Sequence, residues 1–269
     1  MSIVDSVVLG LVQGLTEFLP ISSSGHLVFL RALLGFEGQG IAFEVFVHFG
    51  TGLAIITVFW GQICRLVAAA FRGIIGPGDI SSKLKEDEHT RLVALIVIGS
   101  VPAAILGISL EDKIEQAFLN PPLVAVMLLL TGVVLWPTRY VKSAGRRVNY
   151  KDSILIGIAQ AIAIIPGISR SGLTIAAGLY RNVDRSRAAE FSFLLALPAI
   201  LGATFLNARK LLSNSSPTAV LPLVVGTVVA YVSGYVAIRL LLGIVRRGRL
   251  DRFSYYCWVI GLTGLVLTR

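Results

Sequence analysis

Residues 10–25 read Gly-Leu-Val-Gln-Gly-Leu-Thr-Glu-Phe-Leu-Pro-Ile-Ser-Ser-Ser-Gly, and residues 157–172 read Gly-Ile-Ala-Gln-Ala-Ile-Ala-Ile-Ile-Pro-Gly-Ile-Ser-Arg-Ser-Gly. The second stretch repeats the first without a gap. Each begins as an apolar helix, breaks at Pro or Gly, and ends in a Ser-rich turn that opens a second apolar helix. One copy carries Glu17 and the other Arg170. Two interrupted apolar segments at matching positions of two halves are a sequence sign of a binding site at the middle of a membrane.

The composition agrees with a membrane setting. The chain is 55% hydrophobic, only 14% charged, and has a mean hydropathy of +0.81, outside the range of ordinary soluble domains. The first apolar stretch lacks a basic leader and contains Gln13 and Glu17, which argues against a cleavable signal peptide. The net charge of +9 does not point to nucleic acid, because the basic residues sit in short loops between apolar runs. The cysteines, Cys64 and Cys257, lack metal-type spacing; both are expected near the cytoplasmic side as free thiols.

Six runs approach the length of about 20 residues that a membrane span needs. They lie near 41–63, 91–109, 121–139, 188–208, 218–242 and 253–268. The stretches 3–19 with 24–35, and 153–165 with 171–181, are too short to cross singly. Each pair reads as a re-entrant helical hairpin, a form tolerated where irregular backbone is buried in protein or lines a cavity. The expected fold is an all-α integral membrane protein, a single membrane domain over 1–269. It is built from repeat one (1–140) and repeat two (150–269), each one hairpin plus three spans. The similarity extends to Ala42-Phe43-Glu44-Val45-Phe46 and Ala188-Ala189-Glu190-Phe191-Ser192. An odd number of spans per unit inverts the second copy relative to the first.

Of the 24 Lys and Arg residues, 18 fall on one side and 5 on the other, with Arg170 set aside. The positive-inside rule makes the richer side cytoplasmic. Both termini and the first hairpin are then expected outside, with the second hairpin entering from the cytoplasm. The polar stretch 76–90 is expected as a cytoplasmic link.

Gly10, Gln13, Gly14 and Glu17 share one helix face, traced in the second copy by Gly157, Gln160, Ala161 and Ile164. Small-residue packing between helices accounts for the glycines and Ala161. It does not account for Glu17, because a carboxylate in an apolar helix costs about 2.5–3.5 kcal/mol on insertion scales. Ser22, Ser23, Ser24 and Gly25, and their counterparts Ser169, Arg170, Ser171 and Gly172, stand at half-helix N-termini. There, hydroxyls cap the helix and bare N–H groups attract anions. Arg170, a permanent cation with a forked head, suits bidentate phosphate contact. These features describe a site for phosphate or diphosphate. His26 is a candidate acid or base beside the serines. His48, His89, Glu44 and Glu190 read as packing or local pairing. Glu17 and a diphosphate would repel, so a divalent cation bridging Glu17, with Gln13, to phosphate oxygens is expected.

Gln-Gly-Leu-Thr-Glu-Phe-Leu-Pro-Ile-Ser-Ser-Ser-Gly-His (13–26) and Pro-Gly-Ile-Ser-Arg-Ser-Gly (166–172) resemble the two signature motifs of bacterial undecaprenyl-diphosphatases of the bacitracin-resistance type. The resemblance runs the length of the chain. It implies an inner-membrane enzyme that hydrolyses undecaprenyl diphosphate to undecaprenyl phosphate and phosphate, recycling the lipid carrier for peptidoglycan. By motif it gives Glu17 as the essential acid, Ser23 and His26 as site residues, and Arg170 as the phosphate-binding arginine. It also implies Mg²⁺ or Ca²⁺. Position 13, often Glu in that family, is Gln here, which weakens any scheme with two carboxylates on the metal. Position 24, often Thr, keeps its hydroxyl as Ser24. A transporter or flippase of polyprenyl phosphate is the competing reading, because inverted repeats are common in carriers. Ser23 is expected as nucleophile with His26 as its base, against a metal-activated water. The oligomeric state stays open, a homodimer included.

Overall fold

The structure, a computed structural model, describes residues 2–34, 41–75, 83–84, 86–142, 145–213 and 220–268. Much of the expected polar link, residues 76–82 and 85, lies outside the described residues, as does Arg269. The described residues form helices and turns, with a single isolated bridge between Arg146 and Val183. In chain order the helices are α1 (Ile3–Phe18), α2 (Ser23–Leu34), α3 (Ile41–Val58), α4 (Trp60–Ile75) and α5 (Glu88–Ser109). There follow α6 (Glu111–Phe118), α7 (Pro121–Leu135, continued by a 3-10 turn to Tyr140), α8 (Tyr150–Ile162) and α9 (Arg170–Tyr180). The last are α10 (Arg185–Ser213), α11 (Val220–Arg246) and α12 (Arg252–Leu267).

Glu88–Ser109, Pro121–Tyr140, Arg185–Leu206 and Val220–Arg246 are long and apolar enough to cross a membrane. Their outer faces are apolar, with Ile108 and Phe205 each more than 70% exposed, as suits helices solvated by lipid. The chain is therefore a multi-pass membrane protein. The straight span expected at 41–63 is different. It divides at Phe59 into α3 and α4, bent by 87°. The reason lies in α4, which carries Arg65 and Arg72 beside the exposed Trp60 and Phe71. Helix α4 is thus amphipathic, where a hydropathy window reads an even apolar run. The last expected span, α12, has 16 residues and is shorter than the other four.

Both short helix pairs begin with the same cap. Ser2 and Asp5 form a capping box on α1, and Asn149 and Asp152 form one at the corresponding position of α8. Asp152 is fully buried and also accepts from both guanidinium nitrogens of Arg146, at 2.8 and 3.1 Å, and from Arg181 Nε at 3.0 Å. Helix α1 packs along α11, and α8 along α5. The repeat-matched glycines make both seams. A Cβ on Gly10 would sit 2.6 Å from the Gly226 carbonyl, and one on Gly157 would collide with that of Gly99. Elsewhere α7 pairs with α12 and α3 with α10. A continuous core runs from Phe18 through Leu128 and Phe193 to Ile238, drawing on both halves of the chain.

Gly157→Val should lower the thermal midpoint in detergent by about 2–10 °C, because overpacking a close helix contact costs about 1–3 kcal/mol. Gly243→Ala, where an added Cβ meets nothing within 4 Å, should leave the midpoint unchanged or slightly raised.

Candidate active site

Helix α1 stops before Pro20, and the chain turns through Ser22, whose φ of +66° is left-handed. A non-glycine residue holds that conformation only when its surroundings enforce it. Here Ser22 Oγ accepts from Gly25 N at 3.2 Å, and the Ser22 carbonyl accepts from both the backbone N and ring Nδ1 of His26. The second tip repeats the cap: Ser169 Oγ accepts from Gly172 N at 3.2 Å. Ser22–Ser24 and Ser169–Ser171 are matched hydroxyl pairs, at 3.1 and 3.3 Å.

The tips touch each other. Gly167 N donates to Ser24 Oγ, and Ser171 Oγ donates to the Leu19 carbonyl, both at 3.3 Å. Gly25 and Gly172 stand at this contact, where added Cβ atoms would lie 3.6 Å from Gly167 Cα and 3.1 Å from Pro20 Cβ. Thr131 on α7 fixes the second tip, accepting from Ser169 N and donating to the Gly167 carbonyl. Cys257 is buried, and its thiol donates to the Pro20 carbonyl. It therefore braces the first tip, while Cys64 is exposed and both are free.

Glu17 lies at the junction, 10% exposed in its side chain. One carboxylate oxygen, Oε2, accepts from Ser23 Oγ at 2.6 Å and Gln13 Nε2 at 3.1 Å. The other, Oε1, accepts from Arg170 Nη2. Ser23 and Arg170 are repeat-equivalent positions, each the first residue of its half-helix. The repeat thus places two different donors on the two oxygens of one carboxylate. Two buried atoms here have no partner: Arg170 Nη1 and Gln13 Oε1. Such orphans are rare in a packed interior, and both atoms are open to a further hydrogen bond.

Other expected residues are placed differently. His26 is not paired with Ser23. Its Nδ1–H donates to the Ser22 carbonyl at 2.7 Å, leaving Nε2 to accept from Tyr256 OH at 2.8 Å, and the two rings stack. Gln160, buried on α8, reaches the Leu195 carbonyl at 3.5 Å and makes no hydrogen bond to the Glu17 cluster. With Ile164 where the first copy has Glu17, Gln160 has no carboxylate to hold. Sequence reasoning passed over three residues here. His48, read as ordinary packing, lies on α3 close enough to interact electrostatically with Glu17 and Arg170. Thr131 and Tyr256 belong to spans rather than to the repeat motif. An intramembrane histidine is the signal that could have singled out His48. Glu44 pairs with Arg31, as a local role predicts.

Among the described residues no group of three His, Cys, Asp or Glu side chains converges as a metal site would. The oxygen donors at the junction are Glu17, the unpartnered Gln13 Oε1 and the Ser23 hydroxyl. That set is too small to cage an ion alone. It suits a magnesium- or calcium-like ion that takes its remaining ligands from phosphate oxygens and water.

The family model described as Bacitracin resistance protein BacA matches residues 6–263. A protein of Salinibacter ruber named undecaprenyl-diphosphatase is 44% identical over 265 residues, covering 98% of each chain. Proteins of the same name from Desulforapulum autotrophicum and Methanosphaera stadtmanae are 40% and 38% identical and cover 98% or more of both chains.

The Glu17–Arg170 pair can be weighed by unfolding in detergent. Breaking a buried pair from one side leaves an uncompensated charge and costs about 3–5 kcal/mol. Glu17→Ala and Arg170→Gln should each destabilise, and the double variant should fall short of their sum by about 0.5–3 kcal/mol. Strict additivity would show that the two side chains do not pair.

Proposed function

The chain belongs to the bacitracin resistance protein BacA family, and on that premise we propose how its site performs the reaction. The activity is that of an undecaprenyl-diphosphatase: hydrolysis of undecaprenyl diphosphate to undecaprenyl phosphate and inorganic phosphate. The observation that carries the assignment to this site is Glu17 gripped by Ser23 and Arg170, with Arg170 Nη1 and Gln13 Oε1 left open beside it. The relatives named above give no support to the transporter reading.

In the mechanism we favour, the terminal phosphate sits between the two tips. Arg170 keeps one nitrogen on Glu17 and turns the free one to a phosphate oxygen, so its fork orients acid and substrate together. The bare N–H groups that open α2 and α9 add partial positive charge from both sides. Ser23 Oγ attacks the terminal phosphorus while its proton passes to Glu17, already its hydrogen-bond acceptor at 2.6 Å. The bond from that phosphorus to the bridging oxygen breaks, and undecaprenyl phosphate leaves. Water then attacks the phosphoserine, the bond from phosphorus to Ser23 Oγ breaks, and Glu17 returns its proton to that oxygen while both protons of the water stay on the released phosphate. Mg²⁺ or Ca²⁺ would be held by Glu17 and Gln13 with the diphosphate oxygens, and supplies neutralisation of the phosphate charge when bound. Histidine 26, bonded to Ser22 and Tyr256, acts here by holding the strained turn that aims Ser23.

The same reading includes the topology. The matched caps, the matched glycine seams and the exchange of partners (α1 on α11, α8 on α5) support two inverted repeats in one membrane domain. Each repeat then comprises a re-entrant hairpin and three spans, with α3 and α4 standing for the first. The charge balance supports an inner-membrane orientation with the first hairpin, and so the reacting groups, open to the extracytoplasmic side. The tail of the substrate would stay in lipid.

Purified protein in detergent should release phosphate from undecaprenyl diphosphate. Glu17→Gln should nearly abolish release, and Arg170→Lys should lose about 10²–10³ in rate because the fork is gone. Ser23→Ala should be inactive, and rapid quench with terminally radiolabelled substrate should trap a phosphorylated chain. Substantial hydrolysis by Ser23→Ala with no phosphoenzyme would assign the attack to water instead.

Topology has its own test. In a Cys64→Ser background, cysteine placed at the exposed Gln116 of α6 should react with an impermeant maleimide outside intact cells. Reaction only after permeabilisation would reverse the orientation.

A further inference from the structure

Two adjoining cavities lie between α4, α5 and α10, and none of the Glu17 cluster lines either. The first, of about 230 Å³, is polar and opens at the first turns of α5 and α10, where Arg91, Arg147 and Arg187 surround Glu88 and Glu190. The second, of about 250 Å³, continues along the same helices and is apolar, lined by residues such as Leu66, Val97, Leu197 and Leu201. Leu194 borders both. Val97 and Val67 are 60% and 49% exposed, so the apolar part is open sideways, towards lipid in a membrane protein. The bend at Phe59 creates the groove by carrying α4 away from α3 and across α5.

The charges in the polar part do not balance. Arg147 pairs with Glu88 at 2.9 Å, and Glu190 interacts with Arg187, with Arg246 and with the like-charged Asp184. Arg91 lies 5.9 Å over the Tyr150 ring, a weak partner for a guanidinium. Four arginines thus stand against three carboxylates, an excess of one positive charge. Basic pockets between membrane helices select anionic headgroups by this excess. From Arg91 to Val97 the helix rises about 9 Å, so a headgroup at one end and an acyl chain along the other fit one lipid lying parallel to α5.

We propose that this composite site binds one anionic phospholipid, its phosphate among Arg91, Arg147 and Arg187 and one acyl chain in the groove between α4, α5 and α10. Charge complementarity selects the occupant: the positive excess favours a headgroup of net negative charge over a zwitterionic one. The site is independent of hydrolysis.

Native mass spectrometry of the intact protein in detergent, offered phosphatidylglycerol, phosphatidylcholine and undecaprenyl phosphate separately, tests this. One phosphatidylglycerol per chain should be retained in preference to phosphatidylcholine. Arg91→Gln and Arg187→Gln should each lower retention about fivefold, the effect of roughly 1 kcal/mol per basic residue. Val97→Trp, which fills the groove without altering charge, should lower it as well, while Arg170→Lys should not. Thermal midpoints, with phosphate release for every variant but Arg170→Lys, report that each variant is folded, and the arginine and groove variants perturb different helix surfaces. Equal retention of the two phospholipids, or retention untouched by both kinds of variant, would overturn the proposal. Preference for undecaprenyl phosphate, lost in the same variants, would give the site to the reaction product instead. A dimer that excludes lipid would give it to a second copy of the chain.

Discussion

A carboxylate can be buried among apolar helices only when donors close around it, and Glu17 imposes that condition on everything near it. Its two oxygens take a hydroxyl from one tip and a guanidinium from the other. The interaction therefore orders both interruptions at once. The backbone polar groups freed at the breaks find partners across the same junction: Gly167 N on Ser24, and Ser171 on the Leu19 carbonyl. The irregular backbone is thus satisfied within the protein, the condition a membrane interior imposes. Helices α7 and α12 close the arrangement through Thr131 and Cys257.

The repeat supplies a scaffold, and its departures supply the chemistry. Ser22 and Ser169 cap alike, and Gly10 and Gly157 seat their helices alike. Glu17 faces Ile164 in the alignment, and Ser23 faces Arg170. Ile164 instead packs towards Gly107 of α5, so the acid enters the junction from the first copy alone. Had both kept Ile and Ser, nothing there could take a proton or hold a phosphate. One acid, one hydroxyl and one fixed cation are the outcome of changing two matched positions in opposite directions.

Much of this was legible in the chain because it follows from spacing. The contact of the tips, the small-residue seams and the convergence of Glu17, Ser23, Gln13 and Arg170 all follow from an ungapped repeat and a 3.6-residue period. What escaped depends on facts that spacing does not encode. Ser23 and His26 are one turn apart, yet the left-handed Ser22 turns the imidazole to its own carbonyl and to Tyr256 of α12. The bend at Phe59 falls where an amphipathic helix begins, and a hydropathy window runs through it. His48 approaches Glu17 only through the packing of α3 against the first tip. Gln160 matches Gln13 in sequence, but it reaches the Leu195 carbonyl and not the Glu17 cluster.

The two unpartnered atoms give the junction a direction. Arg170 Nη2 is engaged by Glu17 while Nη1 is open, so the ion pair already fixes the guanidinium plane before a ligand arrives. A cation held this way loses little further freedom when it takes a phosphate oxygen, which is the physical meaning of preorganisation. Without Glu17, Arg170 would be a flexible charge with a high desolvation penalty. Without Arg170, Glu17 would be a buried charge with no cation to offset it. The pair that stabilises the meeting of the tips is thus also the one that, in the proposed mechanism, holds the carboxylate against Ser23. In this site the interaction that holds the fold and the one that readies it for chemistry are the same contact.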